Sequence, residues 1–242
     1  MDRMWAEATA ANPTLFDGPV VVCADLSRHG ANDLVLTWYR ATYRLYILRS
    51  DAEYGVRAPS VFVSVAQSTH DGRLLVGRMA SHTSTPGRWQ LPGGTMEPPP
   101  YGALLDTDGL RRHAARELAE EVGLAVPADE LKLWAVTRSN LGNVGFHFWA
   151  APSTPEVIQG RYEALVRAEL AEGGLPELDR LRLIRCQSDL PDLGSSVADY
   201  LQVLVGPDPA NDDGPTAPGV AMGVRLPPRA ARFPADSPAS PG

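Results

Sequence analysis

An α/β fold is predicted by two observations. Strand-like segments alternate along the chain with three helical stretches, 110–122, 154–172 and 195–205. The first of these carries Leu110, Ala114 and Leu118 at i, i+4 and i+8, an apolar stripe that a sheet must cover.

The elements follow in chain order. Residues 1–55 read as a strand-rich N-terminal extension. Met4–Ala11 forms a short helix closed by Asn12-Pro13, Val20–Ala24 is an apolar strand, and Leu34–Leu48, rich in Trp, Tyr, Thr and Leu, supplies one or two more, with a loop at Arg28–Asp33 between them. Residues 56–206 form the main domain. It opens with Val61, Val63 and Val65 alternating against Ser60, Phe62 and Ser64, a strand whose return partner is Arg73–Met79 after the turn His70-Asp71-Gly72. A polar loop, Ser81–Gly87, leads into Arg88-Trp89-Gln90-Leu91-Pro92-Gly93-Gly94. Beyond the first helix, Leu131–Arg138 and Val144–Ala150 are paired strands. Thr154–Glu172 is a helix introduced by Pro155 and ended by Gly173-Gly174, Leu181–Cys186 a last strand, and Ser195–Val205 a closing helix. Residues 207–242 hold nine of the 22 prolines, and this tail is expected to be extended or disordered.

The stretch from Leu91 to Leu124 organises the rest. Its last third, Arg116-Glu117-Leu118-Ala119-Glu120-Glu121-Val122-Gly123-Leu124, sets Glu117, Glu120 and Glu121 at i, i+3 and i+4, on a face other than the apolar stripe. Like charges so close repel, and the cluster costs stability unless a cation sits among them. Gly123 stops the helix. Dense oxygen ligands suit Mg²⁺ or Mn²⁺, which also bind phosphate oxygens. A turn at Gly93 and Gly94 can offer carbonyls to the same ion. The plainer alternative is a solvated acidic helix face with Arg116 as its salt-bridge partner.

Composition narrows the class. With 44 % hydrophobic and 21 % charged residues the chain is ordinary for a soluble globular protein, and a net charge of −7 argues against a nucleic-acid binder. Cys23 and Cys186 are too few and too distant for a metal motif or a disulfide framework, and read as buried free thiols of a reducing compartment. No run of 18 apolar residues occurs, so neither a membrane span nor membrane binding is expected, and a cytoplasmic location is.

The acidic run resembles the box of the Nudix hydrolases, G-x5-E-x7-R-E-U-x-E-E-x-G-U with U aliphatic. The match is complete from Arg116 to Leu124. The first half departs from the pattern: Asp108 stands where the family has Glu, and Gly94 lies 22 residues before Arg116 instead of 14, an eight-residue insertion around Pro98–Asp106. The resemblance implies an α/β/α sandwich around a mixed sheet, with the helix aiming its acids into a cleft. It implies Mg²⁺ or Mn²⁺ held by Glu117, Glu120, Glu121 and the carbonyl of Gly93, catalysis by Glu117 and Glu120, and Arg116 orienting Glu117. Glu97 matches a residue that supports the site in relatives. The general base differs between members of the family and stays open.

The implied reaction is hydrolysis of the diphosphate bridge of a nucleoside diphosphate linked to a moiety X. The N-terminal stretch and the proline-bearing insertion look loosely like those of UDP-sugar-cleaving members, so a UDP-sugar leads and ADP-ribose follows. The alternatives are a nucleoside triphosphate or isoprenoid diphosphate pyrophosphatase, and a non-catalytic nucleotide-binding module. The expected partner is a small nucleotide, and a homodimer is an open expectation. Arg78, Arg88 and Arg138, on or beside strands facing the cleft, are candidate phosphate or sugar contacts. Tyr101, in the insertion, is a candidate contact to the X group. Trp89 and Phe146 read as core residues before base-stacking ones, His113 reads as packed on the helix, and His82 and His147 are weak ligand candidates.

Overall fold

The computed structural model describes residues 2–29, 33–48 and 57–206. The Pro-rich tail and part of the Arg28–Asp33 loop lie outside these. A helix α1 (Asp2–Ala11) precedes an antiparallel ribbon of β1 (Pro19–His29) and β2 (Asp33–Thr42). Arg44–Leu48, expected as strand, is instead a short helix, α2. The apolar and aromatic composition of this segment suits either state, and packing decides. Tyr46 is buried on Val20 and Val22, and its hydroxyl donates to the carbonyl of Val21.

The main domain comprises β3 (Val61–Thr69), β4 (Leu74–Met79), β5 (Trp89–Gln90), α3 (Thr107–Val122), β6 (Lys132–Arg138), β7 (Val144–Ser153), α4 (Pro155–Ala171), β8 (Leu178–Ile184) and α5 (Asp199–Leu204). The six strands form one mixed sheet in the order β5-β4-β3-β7-β6, with β8 also on β4. β3 runs parallel to β7 and the other pairs are antiparallel. β3 lies in the middle, buried on both faces apart from Phe62, which fits its near-continuous apolar run. The last strand begins three residues earlier than expected and the closing helix is shorter.

Helices cover both faces of the sheet. On one face Leu110, Ala114, Leu118 and Val122 of α3 pack with Val61, Val63 and Val65, and Ile158 and Tyr162 of α4 join them. On the other face Tyr200 and Leu201 of α5 pack with Val76, Trp89 and Leu91. The ribbon belongs to the first core, since Val21, Cys23 and Leu36 are buried in it. Cys23 and Cys186 are both free and buried. Among the described residues no helix is long and apolar enough to cross a membrane.

Local chemistry explains how α3 is held. The Asp106 side chain accepts from the Gly109 amide at 2.7 Å and caps the N-terminus. Gly123 ends the helix at φ 75°, where a Cβ would also lie 2.7 Å from the Arg161 carbonyl oxygen, so both backbone and packing call for glycine.

Candidate active site

The glycine turn is clamped to the middle of the sheet. Beside β3, the Val65 amide donates to the Pro92 carbonyl (2.8 Å), Val63 to Gly94 (3.0 Å), and Met96 donates back to Val61 (2.8 Å). Gly93, at φ 152°, runs so close to β3 that a Cβ would stand 2.2 Å from the Val63 oxygen and 2.5 Å from Ser64 Cα. At Gly94 a Cβ would meet the Glu117 carboxylate, 2.5 Å from Oε2. The first contact seats the turn on β3, and the second puts it face to face with α3.

Sharing one helix face does not make the three acids equivalent. Glu121 is 4 % exposed, and its Oε2 accepts from the Gly93 amide at 2.7 Å. Burial first, then the charge of Glu117, hold its carboxyl well above the usual range, against the pull of the Gly93 N–H. The Glu117 side chain is 14 % exposed and Glu120 is 62 % exposed. Helix rotation is the reason: Glu121 sits three residues after Leu118, beside the buried stripe, whereas Glu120 points to its edge.

Arg116 is the cationic hub. Its Nη2 lies 2.7 Å from Glu97 Oε1 and 3.7 Å from Glu117 Oε1, and its Nε lies 3.7 Å from Glu120 Oε2. Burial works against its charge, but Glu97, Glu120 and Glu117 together raise its pKa. The expected pairing with Glu117 is thus shared with Glu97, which makes the shorter contact.

The structure brings together Gly93, Glu97, Arg116, Glu117, Glu120 and Glu121. Arg88 lines the adjoining cleft of about 460 Å³, with Ser64, Gln90, Gly93, Glu121 and Tyr200. Arg138 lines a further arm of about 220 Å³ with Asn140, Asn143 and Asp199, reached past Phe62, Arg88 and Tyr200. At the other end the cleft shares Tyr43, Met79, Ser84 and Glu177 with a recess of about 530 Å³ that is walled by Leu15, Phe16 and Leu175.

Arg78 and Tyr101 line none of these cavities. Arg78 is held by both oxygens of Asp179 at 2.7 and 3.0 Å, across the β4–β8 pair. Tyr101 is 89 % exposed and lies under the Arg40 guanidinium, 4.2 Å from its ring centre, while Arg40 also donates to the Pro99 carbonyl. The insertion is therefore fastened to β2. Its ends enter the core at Met96 and Leu105. Asp108 pairs with Arg111 at 2.9 Å on the exposed first turn of α3.

Three site residues, Glu177, Tyr200 and Ser64, escaped the sequence reading. Glu177, just before β8, has a carboxyl raised by burial and then by Glu117 and Glu120, although the residue as a whole is exposed. In Gly-Gly-Leu-Pro-Glu it looks like any loop acid. Tyr200 is buried, and its hydroxyl accepts from the Leu91 amide at 3.2 Å, bracing the start of the glycine turn. Ser64 bonds His147 Nδ1 at 2.7 Å while Thr137 bonds Nε2 at 2.8 Å, and burial pushes the His147 pKa down to about 3. His147 therefore serves as a neutral post beneath the cleft. His113, expected as packed on the helix, is buried one turn before Glu117.

Among the described residues no three His, Cys, Asp or Glu side chains already converge into a metal cage. The donor set nonetheless fits a hard cation: Glu121 is buried with Glu117 as a like-charged neighbour, and both abut a glycine backbone.

Residues 56–170 match the family model of the NUDIX domain. No curated protein sequence matches the chain. Among solved structures, the MutT protein from Methanosarcina mazei Go1 is 16 % identical, with 61 % of this chain and 91 % of that chain covered at a TM-score of 0.44. The NUDIX domain of Shewanella oneidensis NrtR complexed with ADP ribose is 18 % identical, covering 67 % and 94 %, at 0.39. A bifunctional NMN adenylyltransferase/ADP ribose pyrophosphatase from Francisella tularensis, complexed with AMP and a Mn ion, is 15 % identical, covering 66 % and 43 %, at 0.40. With the second half of the box complete from Arg116 to Leu124 and the family model matched over 56–170, this chain carries a NUDIX domain.

Proposed function

We propose that this protein hydrolyses the diphosphate bridge of a nucleoside diphosphate joined to a second group, a nucleotide sugar or ADP-ribose, with Mg²⁺ or Mn²⁺ as cofactor. The observation that carries the reading is the setting of two helix acids against the glycine turn, Glu117 at the Gly94 position and Glu121 on the Gly93 amide, with the charges of Glu117, Glu120 and Glu177 acting on Glu121. Repulsion of that kind is tolerated where a cation and a phosphate share the space.

Glu117, Glu121 and the Gly93 carbonyl would hold the cation, with Glu120 at the exposed edge. When bound, the cation neutralises phosphate charge and lowers the pKa of a coordinated water. Arg88 offers positive charge to the diphosphate from the cleft wall. Glu177, which lines both the cleft and the adjoining recess, is the candidate to take a proton from the attacking water. Water supplies the new P–O bond, the bridging P–O bond breaks, and two phosphomonoesters leave. The two ends of the cleft differ in chemistry. Phe16, Tyr43 and Leu175 suit the flat apolar face of a nucleobase, and Arg138, Asn143 and Asp199 suit the hydroxyls of a sugar.

A panel of UDP-sugars, ADP-ribose, nucleoside triphosphates and isoprenoid diphosphates, each with Mg²⁺ or Mn²⁺, tests this. Release of two phosphomonoesters from a nucleotide sugar or ADP-ribose is expected. Turnover confined to triphosphates or isoprenoid diphosphates overturns it.

A further inference from the structure

His113 falls within the seven variable positions between the two halves of the family's box, so the pattern itself does not call for a histidine there. The side chain is 5 % exposed, and both ring nitrogens face charged groups of the site. Arg116 Nη2 lies 3.1 Å from Nδ1. A guanidinium has no lone pair to offer, so this contact uses the lone pair of Nδ1 and assigns the ring proton to Nε2. Nε2 in turn lies 3.0 Å from Glu117 Oε1, and it has no aligned hydrogen-bond acceptor among the described residues. A buried N–H left in this way is costly unless it serves the group it faces.

The two oxygens of Glu117 are thus distinguished. Oε1 is on the side of His113 and Arg116, while Oε2 is nearest the Gly94 position of the glycine turn. We propose that His113 is a positioning residue for cation binding, restraining Glu117 through Oε1 so that Oε2 is presented toward the Gly93–Gly94 turn. The inference rests on the reading of Glu117 as a cation ligand. Arg116 has a double part in it: it faces Nδ1 of His113, and its own charge is shared with Glu97, so the imidazole is the closer partner of Glu117. Groups that orient metal-binding side chains typically change metal affinity about 10–100-fold when removed.

The test is Mn²⁺ binding by the full chain without substrate, followed by electron paramagnetic resonance of the free ion, for the wild type and the variants His113→Leu, His113→Gln and Glu117→Gln. Glutamine can carry an N–H donor close to the position of Nε2, whereas leucine fills the space alone. Expected results are Mn²⁺ affinity weakened about 10–100-fold in His113→Leu, most of the loss recovered in His113→Gln, and thermal melts of both close to wild type. Wild-type affinity in His113→Leu overturns the inference, as does a His113→Gln protein that folds normally and binds as poorly as the leucine variant. A Glu117→Gln protein that binds Mn²⁺ as the wild type does removes Glu117 from the ligand set and takes the underlying reading with it, a result distinct from either.

Discussion

Two adjacent glycines should separate folding from catalysis. Gly94→Ala places a Cβ 2.5 Å from Glu117 Oε2, where ordinary contact begins at 3.4 Å, so the carboxylate must withdraw by about 0.9 Å. The obstructing atoms are the end of a flexible side chain, and the Gly94 φ lies outside the left-handed range. An off-rotamer Glu117 costs about 0.5–1.5 kcal/mol, and the loss of chain entropy in the unfolded state returns about 0.4–1 kcal/mol. Net stability should change by less than about 1 kcal/mol, or about 4 °C in Tm. A metal carboxylate displaced by about 1 Å should lower kcat by about 100-fold.

Gly93→Ala should do the opposite damage. Its Cβ meets backbone, 2.2 Å from the Val63 oxygen, at a φ of 152° that side chains avoid. The turn can yield only by losing hydrogen bonds to β3, at a cost of about 4 kcal/mol or more, a fall in Tm of roughly 8–16 °C. Circular dichroism melts and phosphomonoester release from the leading substrate read both variants. The decisive control is Gly94→Ala combined with Glu117→Gln. If Gly94→Ala acts through the carboxylate, the double variant is no slower than Glu117→Gln alone; additive losses refute the reasoning.

Glu121→Gln should cut turnover by about two orders of magnitude while leaving Tm unchanged or higher, because a buried charge is removed at constant shape; near-wild-type turnover counts against the metal assignment. Arg88→Ala should raise KM or lower kcat, whereas Arg78→Ala, which loses only the half-exposed pair with Asp179, should leave both unchanged; equal effects would put Arg78 in the cleft. His147 has a folded pKa of about 3 against 6.5, so the unfolded chain binds the extra proton and stability falls as pH drops below about 6.5. At pH 4 this amounts to about 3 kcal/mol, 2.5 decades at 1.36 kcal/mol each. The difference in Tm between pH 7 and pH 4 should therefore be smaller in His147→Gln than in the wild type, and an unchanged difference refutes the assignment.

What the sequence determined by itself was whatever depends on short spacing. Leu110, Ala114 and Leu118 recur at helical intervals, Val61, Val63 and Val65 alternate, and Arg116 to Leu124 matches the box throughout, so the buried helix, the buried strand and the acidic helix were all readable. The polypeptide's own periodicity carries that information.

Tertiary packing decided the rest. Glu117, Glu120 and Glu121 look interchangeable in sequence, yet helix rotation against the sheet buries Glu121 and exposes Glu120. Arg78 and Arg88 both seemed aimed at the cleft, and only the pairing of β4 with β8 gives Arg78 to Asp179. Tyr101 lies under Arg40, and Glu177 meets the α3 acids from nearly sixty residues beyond them. Such contacts join residues far apart in the chain. No local pattern encodes them, because they arise from the way the sheet brings distant segments to one edge of a helix.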